Sequence, residues 1–432
     1  MKYLPLKKSL FVKNRGLFLN KMTKNSIAIF NSNDIMPTNA DGTLSFRQNN
    51  DLFWLSGIDQ EESILILNPF AKKESEKEML FLKETSDLIA IWEGEKFNKQ
   101  NAYNISGIKT VFWLDEFEQK LKDLLSEIDN VYLNKNMHSR ATKEVQTRDD
   151  RFRLNFIDKY PGKKILEVAP IMHNLRSIKS EYEIELLQKA CDITENAFRR
   201  ILKFIKPGVM EYEIEAEIIH EFLNNRATGF AYQPIIGSAR NSCVLHYIEN
   251  NKKCNDGDIL LMDFGAEYAN YAADMTRTIP VNGRFSCRQK NVYNAVLHVM
   301  KEAIKMLVPG VLLKDYSAEV VKIMQQELIN LKLLDKHDIK KQDPKNPLYK
   351  KYFMHGVSHY LGLDVHDVGD PNAILKEGMV FTCEPGIYIL EENLGVRLEN
   401  DILISSKAPI DLMKNIPIET EEIELLMNTK NY

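Results

Sequence analysis

Apolar residues change their spacing several times along this chain, and the changes mark out its elements. Across residues 1–172, short apolar runs at Ile27–Phe30, Ser63–Leu67, Met79–Leu82 and Val131–Leu133 have the length of strands. Leu114–Ile128 and Lys143–Lys159 carry the wider spacing of helices. Alternation of that kind predicts an α/β domain built on a central sheet. Phe11, Leu17 and Met22 predict a short helix packed on a strand at Ser26–Phe30. A turn-rich join is expected around Ala169–Ser177, so the first domain is set at 1–172 and the second at 173–432. Ser180 is placed to cap a long amphipathic helix, Glu181–Ile205.

The second part repeats itself weakly. The helix Glu181–Ile205 is closed by Pro207-Gly208-Val209, and another helix begins near Tyr212. Later, Arg288–Leu307 is closed by Pro309-Gly310-Val311, with a helix following from about Lys314. Proline and glycine both stop helices. Helix, Pro-Gly-Val, helix, seen twice and each time followed by strands, predicts two related halves facing a shared cleft. Coincidental helix ends are the alternative.

Acidic residues interrupt the apolar strands of this part. In Ile259–Phe264 the period of two puts Ile259, Leu261 and Asp263 on one face, and the returning strand aligns Ala272, Asp274 and Thr276. Val380, Thr382 and Glu384 share a face until Pro385-Gly386 ends that strand, and Arg397, Glu399 and Asp401 align in Gly395–Ile404. Four like charges meeting in one cleft repel by roughly 4 kcal/mol per pair at ~4 Å and a dielectric of ~20. Lysine or arginine partners are one remedy, and two divalent cations are the other. Three histidines, His355, His359 and His366, fall within twelve residues, and His246 lies just upstream of the first acidic hairpin. One imidazole with four carboxylates suits Mn²⁺, with Co²⁺ or Zn²⁺ able to substitute. Paired cations activate water and clamp a scissile carbonyl, so hydrolysis is expected. The other histidines are then available for substrate contact, proton transfer and oxyanion stabilisation.

Bulk properties narrow the class. At 432 residues two domains are expected, and a net charge of −4 gives no electrostatic reason for nucleic acid or a membrane surface as partner. No apolar run approaches the ~18 residues of a membrane span. Five cysteines without CxxC spacing read as thiols of a reducing compartment. Residues 1–33 hold seven basic residues and no acid, as a transit peptide would, but the early Pro5 and scarce serines favour an unprocessed, cytoplasmic chain.

Taken together, GSARNSCVLHY, ILLMDFGAEYANYAADMTRTIPVNGRF, FMHGVSHYLGLDVHDVG, VFTCEPGIYI and GVRLENDI strongly resemble aminopeptidase P, the Xaa-Pro aminopeptidase branch of the pita-bread metallopeptidases. FRQNNDLFWLSG and the IWEG at Trp92 extend the likeness to nearly the whole chain. The resemblance implies an α+β pita-bread catalytic domain, with a curved, mainly antiparallel sheet and flanking helices, behind a smaller α/β domain. It implies that Asp263, Asp274, His359, Glu384 and Glu399 hold two metal ions, Asp274 and Glu399 bridging them, and that a bridging hydroxide attacks the carbonyl before proline. Glu384 would also shuttle the proton, His355 would stabilise the tetrahedral intermediate, and His246 and His366 would place the substrate. Tyr388 and Arg397 match residues supporting that network. Asp41 and Trp92 match residues that reach a neighbouring subunit's site in tetrameric relatives, which implies a homo-dimer or homo-tetramer; for Trp92 a plain core position is the alternative. Its partners would be peptides with proline in second place. Only 14 residues separate Glu384 from Glu399, fewer than in enterobacterial-type members, so the pocket rim is free to differ. Xaa-Pro dipeptidase, which shares the ligands, and a non-catalytic pita-bread binding protein are the rival readings.

Overall fold

The computed structural model describes residues 2–138, 140–141 and 144–429. Tyr3–Leu175 forms one compact unit and the chain from Arg176 onward forms a second.

The first unit is built on a six-stranded sheet. From edge to edge its order is Thr110–Trp113, Glu78–Leu82, Ile64–Leu67, Ser26–Asn31, Asn130–Leu133 and Lys164–Glu167. Ile64–Leu67 pairs antiparallel on both sides, and the other pairings are parallel. Alternation sets the register: Ile27, Ile29, Ile64, Ile66, Met79, Phe81, Val131 and Leu133 share one core with Phe117, Leu121, Leu125 and Phe156. The other face of Ser26–Asn31 is covered as well, with Phe30 meeting Phe18 edge-on at 5.3 Å between ring centroids. Every residue of that strand is therefore buried, and it reads as a continuous apolar run.

The helices differ from expectation in ways the packing explains. In Lys8–Leu19 it is Phe11 and Phe18 that are buried, while Leu17 is exposed. Leu114–Ile128 divides into a 3₁₀ turn, Leu114–Glu116, and an α-helix, Phe117–Leu125. The helix expected over Lys143–Lys159 is Arg148–Lys159, begun by a reciprocal cap between Thr147 and Asp150; Lys143 lies outside the described residues. Ala169–Ser177, expected as turns, is helical, because Pro170 occupies its first turn, where no N–H is needed.

The second unit repeats one motif. Glu181–Phe204 packs on Glu211–Asn224, and Cys287–Met306 packs on Leu313–Asn330. Each pair is joined through a glycine at positive φ, Gly208 at 104° and Gly310 at 92°. An antiparallel sheet follows each pair: Ile235–Ser238, Ile259–Asp263 and Thr276–Pro280 after the first, then Val380–Cys383, Asn400–Leu403 and Ile410–Asp411 after the second. No helix among the described residues is long and apolar enough to cross a membrane.

The acid-bearing strands do not run on as alternation predicts. The returning arm splits into Tyr271–Ala272 and Thr276–Pro280, with Asp274 in the break. Leu394–Arg397 and Asn400–Leu403 part around Glu399. The first break has a steric correlate: Gly265 passes so close to the opposite arm that a Cβ there would lie 1.7 Å from the Ala273 carbonyl oxygen. Asp263 ends its strand and Glu384 follows directly on another. All four acids thus stand where ladder pairing stops.

Candidate metal centre

Main-chain hydrogen bonds bring those strand ends together. His359 and Glu384 are drawn side by side because Thr382 N–H donates to His359 O and Glu384 N–H to Val357 O. Glu399 N–H donates to Thr276 O at 3.1 Å, which lays the second half's broken strand beside the first half's. As a result, ligand-type atoms of Asp274, His359 and Glu399 lie within 4.8 Å of one another. His359 Nε2 is 3.4 Å from Asp274 Oδ2 and 3.6 Å from Glu384 Oε1. Asp263 joins them through Tyr232, whose hydroxyl is 2.5 Å from both Asp263 Oδ1 and Asp274 Oδ1.

Charge here is unbalanced. Among the described residues one arginine, Arg397, ion-pairs with these four acids, its Nη2 donating to Asp263 Oδ2 at 2.6 Å, while buried Arg277 reaches Glu399 at its main-chain carbonyl. Burial first, and the neighbouring carboxylates second, push Asp274 and Glu399 well above the ordinary range. Burial likewise lifts Glu384 to about 7, with His359 opposing. Glu399 Oε2 accepts from Thr276 Oγ1 at 2.7 Å, while Oε1 is buried with no hydrogen-bond partner. An orphaned carboxylate oxygen in excess negative charge is expensive, and a divalent cation answers both faults. The imidazole is prepared for the same guest. His359 Nδ1 lies 2.9 Å from Tyr360 O, which can only accept, so Nδ1 donates there and Nε2 is the ring atom turned toward the carboxylates. The donor set therefore fits divalent metal.

The other histidines divide between geometry and surface. Arg397 Nη1 donates to the Tyr388 hydroxyl at 2.8 Å, so that hydroxyl gives its own proton to His355 Nε2, also at 2.8 Å. His355 Nδ1–H is then directed to Gly356 O at 2.7 Å. This order makes His355 neutral, and burial with the Arg397 charge pushes its pKa down to about 4. His366 sets its ring edge-on to His359, with centroids 4.4 Å apart. His246 is exposed.

The comparisons with known proteins decide the lineage. Metallopeptidase family M24 matches residues 185–406, more than half of the chain, and the aminopeptidase P N-terminal domain matches residues 11–132. The chain belongs to metallopeptidase family M24. The Xaa-Pro aminopeptidase of Escherichia coli is 34% identical over 431 residues, covering 96% of this chain and 97% of that relative. Human Xaa-Pro aminopeptidase 3 is 33% identical, covering 91% and 78%. The solved structure of Pseudomonas aeruginosa aminopeptidase PepP superposes with a TM-score of 0.89 at 30% identity, over 98% of each chain. Divalent metal ions are what this family's proteins carry, in agreement with the donor set above.

Within this M24 unit the structure gathers Asp263, Asp274, His355, His359, His366, Glu384, Tyr388, Arg397 and Glu399. Trp92 and Asp41 belong to the first unit and are exposed there, Trp92 by 81%, so the core alternative for Trp92 is excluded within that unit. Two supporting residues, Tyr232 and Arg277, had no signal, and Asp401, aligned with Glu399 in the sequence, supports the site as well. Tyr232 comes from a loop without period. Arg277, fully buried, donates to the carbonyls of Glu399, Thr276 and Pro417 and to Asn400 Oδ1. Asp401, also fully buried, accepts from the Asp274 N–H at 3.1 Å and from the Cys191 thiol.

Proposed function

We propose that this M24 protein is a dinuclear-metal aminopeptidase that hydrolyses the bond between an N-terminal residue and a following proline. The single observation carrying the reading is the buried, unpartnered Oε1 of Glu399 among four acids of which Asp263 alone is ion-paired to an arginine among the described residues. Asp263, Asp274, His359, Glu384 and Glu399 would hold two divalent cations, with Mn²⁺ the best match to an oxygen-rich set with one imidazole. When bound, such a pair makes water nucleophilic near neutral pH and polarises the scissile carbonyl.

The chain's own residues then divide the work. Glu384 faces both His359 Nε2 and His355 Nδ1, the latter at 3.8 Å, which suits it to carry a proton between the attacking water and the leaving amine. Arg397 and Tyr388 hold His355 in one tautomer. For His355 to stabilise the tetrahedral intermediate, its Nδ1–H must leave the Gly356 carbonyl. His366, against His359, and His246 place the substrate. Proline lacks an amide hydrogen and fixes φ, so such a site recognises the ring by shape.

The relatives' names support peptide substrates longer than a dipeptide. The exposed Leu88, Ile91 and Trp92 on helix Asp87–Glu93 support a homo-oligomer in which Trp92 and Asp41 contribute to substrate binding. Five unpaired thiols among the described residues support a cytoplasmic location. We place the functional boundary between domains at residues 172/173. Mn²⁺-loaded protein should cleave Arg-Pro-Pro, and Asp263→Ala should abolish that. Cleavage of dipeptides alone would make it a dipeptidase, and no cleavage of either would end the enzyme reading. Sedimentation of Trp92→Ala against wild type tests the oligomer, which should weaken.

A further inference from the structure

The loop carrying His366 is held from behind by buried charge. Asp367, the next residue, has a side chain only 1% exposed, and its oxygens go to Arg176 Nη2 at 2.6 Å and Lys179 Nζ at 3.1 Å. The Lys179 side chain is equally buried, and that of Arg176 is 5% exposed. The same Arg176 nitrogen reaches Asp364 Oδ2 at 2.8 Å, so one guanidinium grips the loop on either side of His366's neighbour Val365. Main-chain bonds fasten the loop further: Asp367 N–H to Tyr360 O at 2.9 Å, Gly362 N–H to Asp364 O at 3.1 Å, and Ala272 N–H to Gly362 O at 2.9 Å. Only glycine fits at 362, since a Cβ there would stand 2.1 Å from Asp367 Oδ2. Lys179 N–H in turn donates to Gly378 O at 2.8 Å, which anchors the basic segment itself.

Two buried cations sharing a carboxylate are a poor way to gain stability, because desolvation offsets most of the attraction and apolar residues of similar volume serve as well. Burial would raise the Asp367 pKa, yet Arg176 and Lys179 together bring it below the ordinary value. What such a cluster supplies is a single fixed geometry, at a loop whose imidazole lies on a candidate metal ligand. We propose that Arg176, Lys179 and Asp367 are positioning residues for His366, fixing its ring against His359 and the substrate from the segment where the catalytic unit begins. The proposal rests on the reading of His366 as a substrate-contacting residue.

A double-mutant cycle in the Mn²⁺-loaded full chain tests it, with kcat/KM for an Xaa-Pro tripeptide as readout. Asp367→Asn should lower kcat/KM by about ten- to a hundredfold, the effect of a displaced contact group, while Mn²⁺ affinity by calorimetry stays within about twofold. His366→Ala should lower it comparably, and the double variant should be no worse than His366→Ala alone. Multiplying losses in the double variant, or an Asp367→Asn enzyme as active as wild type, would overturn the positioning role. A fully active His366→Ala would remove the reading of His366 and the proposal with it. If Asp367→Asn does not fold by circular dichroism, Arg176→Lys replaces it in the same cycle. That variant keeps the charge but ends short of the Arg176 Nη2 position and lacks the planar guanidinium, so it loosens the grip on Asp364 and Asp367, and the same outcomes decide.

Discussion

Thr276→Val isolates what keeps Glu399 in place. Thr276 is fully buried; its hydroxyl donates to Glu399 Oε2 at 2.7 Å and accepts from Arg397 Nε at 3.0 Å. Valine has nearly the same shape, so no cavity opens and only the hydroxyl is lost. Hydrogen bonds to charged groups contribute about 1.5–3 kcal/mol each, so losing both costs about 3–6 kcal/mol. Part of this appears as lower stability of the metal-free protein. The rest appears in metal affinity, because Glu399, released at Oε2, no longer presents Oε1 in one orientation. Loss of such an outer partner weakens metal binding by roughly 10–100-fold, or about 1.4–2.8 kcal/mol. Thr276→Ser keeps the hydroxyl, so it should cost about 1 kcal/mol of stability and leave affinity nearly unchanged. Calorimetric titration of Mn²⁺ into chelator-stripped protein, with urea unfolding of the same samples, measures both parts. If Thr276→Val binds Mn²⁺ as tightly as wild type, the account of Glu399 as an oxygen held ready by its neighbour is refuted.

Gly265→Ala should abolish Mn²⁺ binding, since its Cβ would strike the Ala273 carbonyl between Asp263 and Asp274 and neither backbone can yield; retained binding by calorimetry would contradict this. Burial lifts the Asp149 carboxyl from 3.8 to about 7, against a hydrogen bond from Asn31, so the folded chain keeps a proton that the unfolded chain releases. That contribution is complete below about pH 4 and is lost as pH rises through 7, so Asp149→Asn should gain about 2–3 kcal/mol on wild type between pH 5 and pH 8. Urea unfolding followed by tryptophan fluorescence reads it in the first unit, where all three tryptophans lie, and a difference independent of pH would count against it. Chelation should lower the calorimetric melting of the second unit, and metal restored at a hundred times its Kd should return about 2.7 kcal/mol; melting indifferent to metal would argue that the acids balance themselves.

Much of this was visible in residue order, for identifiable reasons. Carboxylates at Asp263, Asp274, Glu384 and Glu399 stand out because each interrupts an apolar strand, and such interruptions need a cation. The inner strands of the first unit stand out because their residues are buried on both faces. Thr110–Trp113 and Lys164–Glu167 do not, being four-residue edge strands with partly exposed side chains and no clean alternation. Pro170 disguised a helix, since proline marks a turn and a helix's first turn equally. The strand breaks at Asp274 and Glu399 were hidden because they arise from contacts across the hairpin. Arg277 and Tyr232 act on partners up to 140 residues away, a distance no local pattern spans.

The guanidinium of Arg277 closes on Pro417 as well as on Glu399. Chains emerge from the ribosome N-terminus first, so the clamp between the two halves is completed only once residue 417 is free. Until then Arg277 can hold Glu399 and Asn400 of the second half but lacks its last acceptor.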